Sequence, residues 1–332
     1  MKTLSEQIKQ FKQETGYTLE VRDGKPYYGG CLYLQGTPIT SLPDNLTVGG
    51  YLDLRGTQIT SLPDNLTVGG SLYLQGTGIT SLPDNLTVGG DLYLDGTGIT
   101  SLPDNLTVGG DLYLDGTGIT SLPENLTVGG YLDLRGTQIT SLPDNLTVGG
   151  RLDLRNTQIT SLPDNLTVGG RLDLRNTQIT DTSKVNRNAP DIYTWRNNKY
   201  IKCDGVFSRV LSNKGNVWKV QSIGKDDTMY IVTDGNGRYA HGETIKAAKA
   251  DLIYKISNRD KSKYENLTLD STVTFEEAIE MYRVITGACA AGTKNFVENR
   301  LREKKAKYTI AEIIELTKGE YQSDVFAEFF KH

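Results

Sequence analysis

The stretch that decides the fold reads CLYLQGTPITSLPDNLTVGG at residues 31–50 and continues YLDLRGTQITSLPDNLTVGG at 51–70. The same 20-residue unit starts again at positions 71, 91, 111, 131 and 151, and a last copy from 171 stops after Thr180. A fixed period of this length is typical of solenoids, in which each turn stacks on the previous one. Residues 31–180 are therefore predicted to form a repeat array.

Each unit contains the residues that one solenoid turn needs. Leu32 and Leu34 alternate with other residues and point to the same side, as in a short strand. Pro43 cannot donate a ladder hydrogen bond, so it is predicted to lie on the outer arc. The pair Gly49 and Gly50 permits a tight return to the next strand. The other apolar positions of the unit are Ile39, Leu42, Leu46 and Val48.

The pattern LxLxxTxIxxLPxxL resembles the leucine-rich repeat, in the short 20-residue form found in bacterial and phage proteins. This resemblance implies an α/β solenoid with short parallel strands on a concave face. Thr37, Thr57 and Thr77 stand where many leucine-rich repeats have Asn, and their side chains can bond to nearby backbone groups. The C-terminal part is similar to domains in proteins of gut bacteria and their phages, and this likeness implies no particular activity.

The segments on either side of the array predict a cap and a second domain. Thr3-x-x-Glu6 is a capping box, and apolar spacing predicts an amphipathic helix over 4–14 that ends before Gly16. Residues 1–30 are thus predicted to be an N-terminal helical cap with a degenerate first turn. Residues 181–198, which include Pro190, are predicted to be a linker.

Residues 199–332 are predicted to form a small α+β domain. Short β-branched and aromatic runs separated by Asn, Asp and Gly predict an antiparallel meander of about four strands. Helical patterns follow at 243–256, 275–286, near 293–301, 309–317 and 323–331. In the first of these helices, the residues predicted to face inward are Ala247, Ala250, Leu252, Ile253 and Ile256.

Variation between the turns is confined to a few positions. The first, third, fifth, sixth and eighth residues of the unit change, and Glu124 replaces Asp once. The first, third and fifth side chains lie opposite the strand leucines, so they are predicted to line the concave face. The candidate binding residues on this face are Tyr73, Tyr93, Tyr113, Asp91, Asp95, Asp111, Asp115, Arg135, Arg151, Arg155, Arg171 and Arg175.

Two interpretations of this face are open. The Asp–Arg alternation of the later turns suits a solvated sheet whose neighbouring charges compensate each other. In the central turns the carboxylates repel one another and nothing in folding requires them, which together with a row of exposed tyrosines favours a recognition surface. We therefore expect a non-catalytic protein that binds another protein, one with a basic and partly apolar protrusion. An inhibitor encoded by a phage or bacterium, which blocks or sequesters a host protein such as a defence factor, would use the same contacts.

The sequence offers little for catalysis, metals or cofactors. Cys31, Cys203 and Cys289 are far apart and give neither a disulfide framework nor zinc-ligand spacing. Some bacterial effectors join short leucine-rich repeats to a ubiquitin ligase with a Cys-x-Asp motif, which neither Cys203 nor Cys289 matches. A cysteine-dependent enzyme in the C-terminal domain stays an alternative, with Cys289 as nucleophile and His241 as its base. The stretch from Gly287 to Lys294 predicts a tight helix–helix turn rather than a phosphate loop.

Charge and hydropathy restrict the partners further. The chain has 36 basic and 40 acidic side chains and a formal net charge of −4, which does not favour nucleic acid. The basic run that could contact nucleic acid comprises Lys294, Arg300, Arg302, Lys304, Lys305 and Lys307. No apolar run is long enough to span a membrane, and MKTLSEQIKQFKQ does not have the form of a signal peptide. We expect a cytoplasmic protein, in the host-cell cytoplasm if a phage encodes it.

Overall fold

A computed structural model describes residues 2–188, 192–223, 225–256, 259–299, 301 and 303–331. The chain forms two compact units. The first comprises Met1–Pro190 with Ser222–Asp226, and the second comprises Asp191–Gln221 with Asp227–His332. The buried apolar residues of the first unit form one cluster, and those of the second form three smaller clusters.

The first unit is a parallel-strand solenoid of about seven turns, which confirms the predicted repeat array. Each turn adds one strand to each of two sheets, and strands pair in register with their counterparts one turn away, as Leu32 does with Leu52. The leucine sheet contains Leu32–Tyr33, Leu52–Asp53, Leu72–Tyr73, Leu92–Tyr93, Leu112–Tyr113, Leu132–Asp133, Leu152–Asp153 and Leu172–Asp173. The valine sheet contains Thr47–Val48, Thr67–Val68, Thr87–Val88, Thr107–Val108, Thr127–Val128, Thr147–Val148 and Thr167–Val168.

The apolar positions that are identical in every unit build the core. Leu92, Leu94 and Ile99 are 0% exposed, and so are their equivalents in the neighbouring turns. Backbone N–H groups donate from one turn to the next, for example from Leu92 to the Asp111 carbonyl at 2.8 Å. Stacking therefore buries the aliphatic side chains and satisfies the backbone at the same time.

The repeats are entirely β and turn, so the expected α/β class is wrong for the solenoid itself. Residues 31–180 are all described, and this range contains no helix. On the outer arc Pro43 is followed by Asn45 with φ +57°, and a left-handed residue there prevents helical continuation. The repeat threonines donate within their own turn, as Thr37 Oγ1 does to the Leu34 carbonyl at 2.7 Å.

The N-terminal cap has the predicted helix. Helix α1 (Leu4–Thr15) begins at Thr3 with a complete capping box to Glu6 and ends at Gly16, whose φ is +78°. Phe11 is 2% exposed and belongs to the solenoid core. The degenerate first turn is a hairpin of Glu20–Arg22 and Lys25–Tyr28, and the second strand extends the valine sheet.

The second unit contains a six-stranded antiparallel sheet rather than the expected four strands. One of the two additional strands comes from the predicted linker, where Ile192–Trp195 pairs with Tyr200–Cys203. Trp195 is 6% exposed, so its apolar side chain explains why this segment joins the sheet. The remaining strands are Val206–Lys214, Val217–Ser222, Thr228–Thr233 and Tyr239–Gly242.

The helices of the second unit follow the predicted order. They are α2 (Ile245–Ile256), α3 (Phe275–Thr286), α4 (Ala290–Asn299), α5 (Ile310–Leu316) and α6 (Ser323–Phe329), with a 3₁₀ turn at Ser262–Tyr264. Strands Thr272–Thr274 and Lys307–Thr309 pair antiparallel and lead into α3 and α5. Both helices begin with a threonine capping box, at Thr274 and Thr309.

The predicted inward face of α2 is wrong apart from Leu252. The buried residues are Ala248, Leu252 and Lys255, whereas Ile253 is 63% exposed. Ala247 and Ala250 are also exposed, as is Ile256. The helix is rotated because the Lys255 ammonium turns inward to a buried carboxylate, a contact that apolar periodicity does not reveal.

Among the described residues, no helix combines the length and the apolar character that crossing a membrane requires.

Candidate functional site

The first candidate site is the outward side of the leucine sheet, here called the strand face, which carries the first, third and fifth side chains of every turn. Its central feature is a ladder of tyrosines. Tyr93 stacks on Tyr73 with ring centroids 4.6 Å apart and on Tyr113 at 4.5 Å, with the planes within 9° of parallel. Tyr51 and Tyr131 close the ladder edge-on, at 6.5 and 5.5 Å.

The ladder is longer than the sequence prediction. Tyr73, Tyr93 and Tyr113 come from the third position of their turns, whereas Tyr51 and Tyr131 come from the first position of turns that have Asp in the third. The sequence does carry this signal, because a tyrosine precedes LDLR at both places. Only the stacking geometry shows that side chains from different positions join one aromatic band.

The tyrosine rings are half-buried by each other and lie outside the solenoid core. Burial raises the pKa of Tyr93 and Tyr113, and the Asp91 and Asp111 carboxylates raise it further. The hydroxyl groups therefore remain protonated at neutral pH. Tyr113 donates its hydroxyl proton to Asp111 Oδ2 at 3.1 Å, and Tyr131 donates to Asp153 Oδ2 at 3.2 Å.

The third-position aspartates are buried, which corrects the expectation of a solvated charge pattern. Their exposures are 5% for Asp53, 0% for Asp133 and Asp153, and 2% for Asp173. Each is held by the arginine two residues later, just after the strand ends. Arg135, for example, donates from Nε and Nη2 to Asp133 at 2.8 and 2.6 Å. These pairs are part of the fold, because a buried carboxylate requires such partners.

The later turns join these pairs into a network. Arg151 donates from Nη2 to Asp153 at 2.6 Å and to Asp173 at 2.9 Å, so it links adjacent turns. Arg155 donates to Asp153 and also lies 3.7 Å from Asp173. Arg135, Arg151 and Arg155 are half-buried, and Arg171 and Arg175 are exposed.

The central carboxylates also have roles in the fold, contrary to the expectation that nothing in folding requires them. Asp91 Oδ1 accepts the backbone N–H of Asp111 at 2.9 Å, and Asp111 Oδ1 accepts that of Tyr131 at 2.7 Å. Ser71 Oγ does the same for Asp91 at 3.0 Å. First-position side chains thus satisfy a backbone donor in the following turn.

Among the described residues, the carboxylates in the fifth position of the unit contact side chains rather than backbone groups. Asp95 Oδ1 accepts Gln75 Nε2 at 3.1 Å, and Asp115 lies 3.5 Å from Arg135 Nη2. The Asp115 side chain is 46% exposed. These two carboxylates border the tyrosine ladder. Unlike Asp91 and Asp111, they do not bind a backbone N–H group of the next turn in the described part of the chain.

A second candidate site lies in the second unit, where the structure brings together the predicted pair of Cys289 and His241. Cys289 Sγ is 3.6 Å from His241 Nδ1, and both residues are 0% exposed. Asp204 Oδ2 lies 3.7 Å from the same nitrogen. Sequence analysis did not identify Asp204 as a third member, because only the tertiary fold places it there.

Asp204 lies at the tip of a β-hairpin, and at this tip it is buried. With φ +49° and with Gly205 at +80°, it fits the two-residue Asp-Gly turn between Tyr200–Cys203 and Val206–Lys214. Such tips are ordinarily solvated, yet Asp204 is 7% exposed. Its Oδ1 accepts a hydrogen bond from Lys255 Nζ at 2.9 Å. Burial raises the pKa of Asp204, but His241 and the Lys255 ammonium lower it by more.

One group of potential metal donors lies at the same position. Cys203, Asp204 and His241 are buried and place their ligand atoms within 4.8 Å of one another. Thiolate, imidazole and carboxylate are the donors of a soft divalent ion such as zinc. The wide sequence spacing of Cys203 and Cys289 had given no indication of this arrangement.

The remaining sequence features have simpler structural roles. The turn after α3 is the predicted helix–helix turn, since Gly287 ends α3 with φ +80° and α4 begins at Ala290. Within the basic run, Lys305 pairs with Glu312 at 2.8 Å. Arg300 and Arg302 lie outside the described residues.

No protein-family model matches the chain. No curated protein matches its sequence either.

Proposed function

We propose that the first unit is a leucine-rich-repeat-type recognition module that binds another protein through the strand face. The observation that carries this proposal is the continuous tyrosine ladder, with half-exposed rings and protonated hydroxyls. Such a surface offers a large contact area, few rotatable bonds and a polar tip on each side chain. A purely structural ladder would stabilise the solenoid equally well with apolar side chains.

The charges beside the ladder define the partner. Asp95 and Asp115 lie along one edge of the central turns, and Asp91 and Asp111 lie along the other. A cationic side chain inserted between these edges would contact both carboxylates and tyrosine faces, which attract cations. The proposed partner therefore presents a basic and partly apolar protrusion. In the later turns, the arginines and aspartates pair with one another, so their side chains are held in fixed positions. This part of the strand face would contact an acidic or polar edge of the partner protein.

Selection from a random peptide display library tests this proposal directly. We expect the intact protein to enrich peptides in which Lys or Arg flanks an apolar residue. The double variant Asp95→Lys and Asp115→Lys should lose these peptides at least about tenfold, because it reverses charge without removing a backbone hydrogen bond. The matched control is Asp84→Lys and Asp104→Lys, which makes the same charge change on exposed outer-arc residues.

The control variant should retain the selected peptides. The absence of enrichment by the intact protein would contradict the proposal, as would peptides that bind both double variants equally well. A Tyr93→Ala variant adds a second reading, since loss of the central ring should weaken the apolar part of the contact.

A further inference from the structure

The second unit concentrates the scarce reactive residues of the chain at one place. The whole sequence has three cysteines and two histidines. Cys203, Cys289 and His241 are separated widely in sequence, but all three lie in or beside one buried cluster with Asp204. A packed interior needs no such convergence of thiol, imidazole and carboxylate, since apolar side chains would fill the space at lower cost.

Within the described part of the second unit, two polar atoms of this cluster have no hydrogen-bond partner. They are Asp204 Oδ2 and His241 Nε2, and the side chains that carry them are 1% and 0% exposed. Buried polar groups are ordinarily paired, and exceptions occur where a site is arranged for chemistry or for a ligand. Asp204 Oδ2 is directed towards His241, beside the Cys289 thiol.

Two contacts of Cys289 favour negative charge on its sulfur, although burial and a nearby carboxylate outweigh them in the resting state. Cys289 immediately precedes the ten-residue helix α4, and its Sγ accepts the N–H of Gly292 at 3.2 Å. A helix N-terminus favours negative charge on sulfur. Burial raises the pKa of the Cys289 thiol, and the Asp204 carboxylate raises it further. The resting group is therefore the thiol, and it requires a base in contact, the place that His241 occupies.

A cavity borders Cys289. It has a volume of about 70 Å³ and is lined by Cys289, Asp204 and mostly apolar side chains, among them Phe296 and Val297. Its wall extends from the buried Cys289 to Leu316, which is 43% exposed. An apolar cavity of ~150 Å³ accepts benzene, so this smaller one suits a short aliphatic group.

We propose that Cys289 is the nucleophile of an acyl-hydrolysing site, with His241 as its general base and the cavity as the pocket for a short aliphatic acyl group. The substrate class is an ester or thioester of such an acyl group. This activity belongs to the second unit and is independent of recognition by the strand face.

The reaction balances with these groups and water. As Cys289 Sγ bonds to the acyl carbon, its proton passes to His241 Nδ1. The bond between the acyl carbon and the leaving oxygen or sulfur then breaks, and His241 returns the proton to that atom. A water molecule next gives a proton to His241 while its oxygen bonds to the acyl carbon. The C–S bond breaks, the carboxylic acid leaves, and Sγ regains the proton.

Asp204, Lys255 and Gly292 act as positioning residues. Asp204 faces the imidazole that becomes cationic, and Lys255 fixes the carboxylate through Oδ1. Gly292 permits α4 to approach this turn, because a Cβ there would lie 2.7 Å from the Asp204 carbonyl oxygen and 3.3 Å from Cys289 Sγ. Replacement of Gly292 would separate the thiol from the carboxylate.

A zinc site formed by Cys203, Asp204 and His241 is the alternative interpretation of this cluster, and two observations weigh against it. The Lys255 ammonium is 2.9 Å from Asp204 Oδ1 and would repel a dication held by that carboxylate. The cavity adjoins Cys289, which is not one of the three mutually close donors. A structural metal would need no cavity.

Acylation of the full-length protein by p-nitrophenyl butyrate tests the proposal. We expect a burst of about one p-nitrophenol per chain and a butyryl group on the peptide that contains Cys289, identified by mass spectrometry. Cys289→Ser should abolish the adduct, and His241→Asn should slow acylation by about 100-fold. Asp204→Asn should lower the acylation rate constant but leave the half-saturating ester concentration unchanged. Cys31→Ser, in the solenoid, should behave as the wild type.

Thermal unfolding of each variant identifies those that fail to fold, and the wild-type adduct and its position do not depend on any variant. Three results would overturn the proposal: no adduct at Cys289 in the folded wild type, acylation at the wild-type rate in folded His241→Asn, or about one tightly held zinc ion per purified chain.

Discussion

Single residues of the strand face contribute to the stability of the solenoid. The third-position aspartates are buried, and each depends on an arginine of its own repeat unit. Burial raises the pKa of Asp153, but hydrogen bonds from Arg155 and the charge of Arg151 lower it by more. The hydrogen bond from Arg175 lowers the pKa of Asp173, and this outweighs burial. Their pKa values in the folded protein are thus below those of the unfolded chain.

This depression predicts how solenoid stability depends on pH. The contribution of Asp153 and Asp173 is present above the unfolded pKa of about 4 and is lost as the pH falls towards their lower folded values. The urea midpoint of the solenoid should therefore be lower at pH 3 than at pH 6. Asp153→Asn should reduce the difference, and a midpoint that is equally sensitive to pH in wild type and variant would contradict this account.

The same substitution should also lower the stability of the solenoid at neutral pH. Asp153→Asn removes the carboxylate that Arg151 and Arg155 share and leaves Asp173 as the remaining carboxylate beside both, so the free energy of unfolding should fall by about 1–3 kcal/mol. Asp144→Asn is the matched control, because Asp144 is exposed on the outer arc. It should change stability by less than about 0.5 kcal/mol in the same urea titration.

At the scale of the strand and the turn that leads into it, the backbones of adjacent units lie very close together. This closeness limits which residues can occupy the last position of the unit. A Cβ on Gly110 would lie 2.2 Å from Asp91 Oδ1 and 2.6 Å from the Gly90 carbonyl carbon. On Gly118 the nearest atom would be the Thr100 methyl carbon at 3.1 Å. Other turns carry glutamine at the position of Gly118, whereas the last position of every complete unit is glycine.

These two glycines, which come from consecutive units, make a matched pair. Gly110→Ala should lower the free energy of unfolding by about 1–3 kcal/mol, because neighbouring backbone cannot move aside. Gly118→Ala should be close to neutral or slightly stabilising. Chemical unfolding followed by circular dichroism measures both, and equal effects would show that turn spacing adapts more readily than the contacts indicate.

At the scale of the whole molecule, the two units have separate apolar cores and separate spectroscopic probes. Both tryptophans, Trp195 and Trp218, belong to the second unit. Phe11 of α1 belongs to the solenoid core. Tryptophan fluorescence therefore reports on one unit, and a change at Phe11 acts on the other.

We expect Phe11→Ala to destabilise the solenoid by about 3–5 kcal/mol, because it removes a buried ring from the cap over the first turn. The β-sheet signal in circular dichroism should shift to lower urea, and the tryptophan transition should stay where it is. If both transitions move together by the same amount, the two units unfold as one cooperative body.

The predictability of each feature depends on how local its cause is. The solenoid turn and its core follow from the repeated spacing of Leu32, Leu34 and their equivalents, and the helical cap follows from Thr3 and Glu6. The burial of Asp153 could not be predicted, because the covariation of Asp and Arg shows pairing but not which partner lies inside. The rotation of α2 could not be predicted because a lysine such as Lys255 is ordinarily expected to face solvent.

The second candidate site was predictable only in part. The pair of Cys289 and His241 could be stated as an alternative because few other reactive residues exist in the chain. Their contact, and the presence of Asp204, arise from the meeting of a hairpin tip, a strand end and a helix start. No local pattern connects these three elements.

Near-identity of the turns has a consequence for how the chain reaches its native state. A strand such as Leu92–Tyr93 could align with the wrong copy, one whole unit out of place, and still bury the same kinds of side chain. The non-repeating hairpin of Glu20–Arg22 and Lys25–Tyr28, which lies beside the α1 cap, distinguishes the beginning from the middle. This hairpin therefore acts as a template that sets the alignment of every later copy, and its loss should produce slipped, polydisperse arrays rather than a simply weaker solenoid.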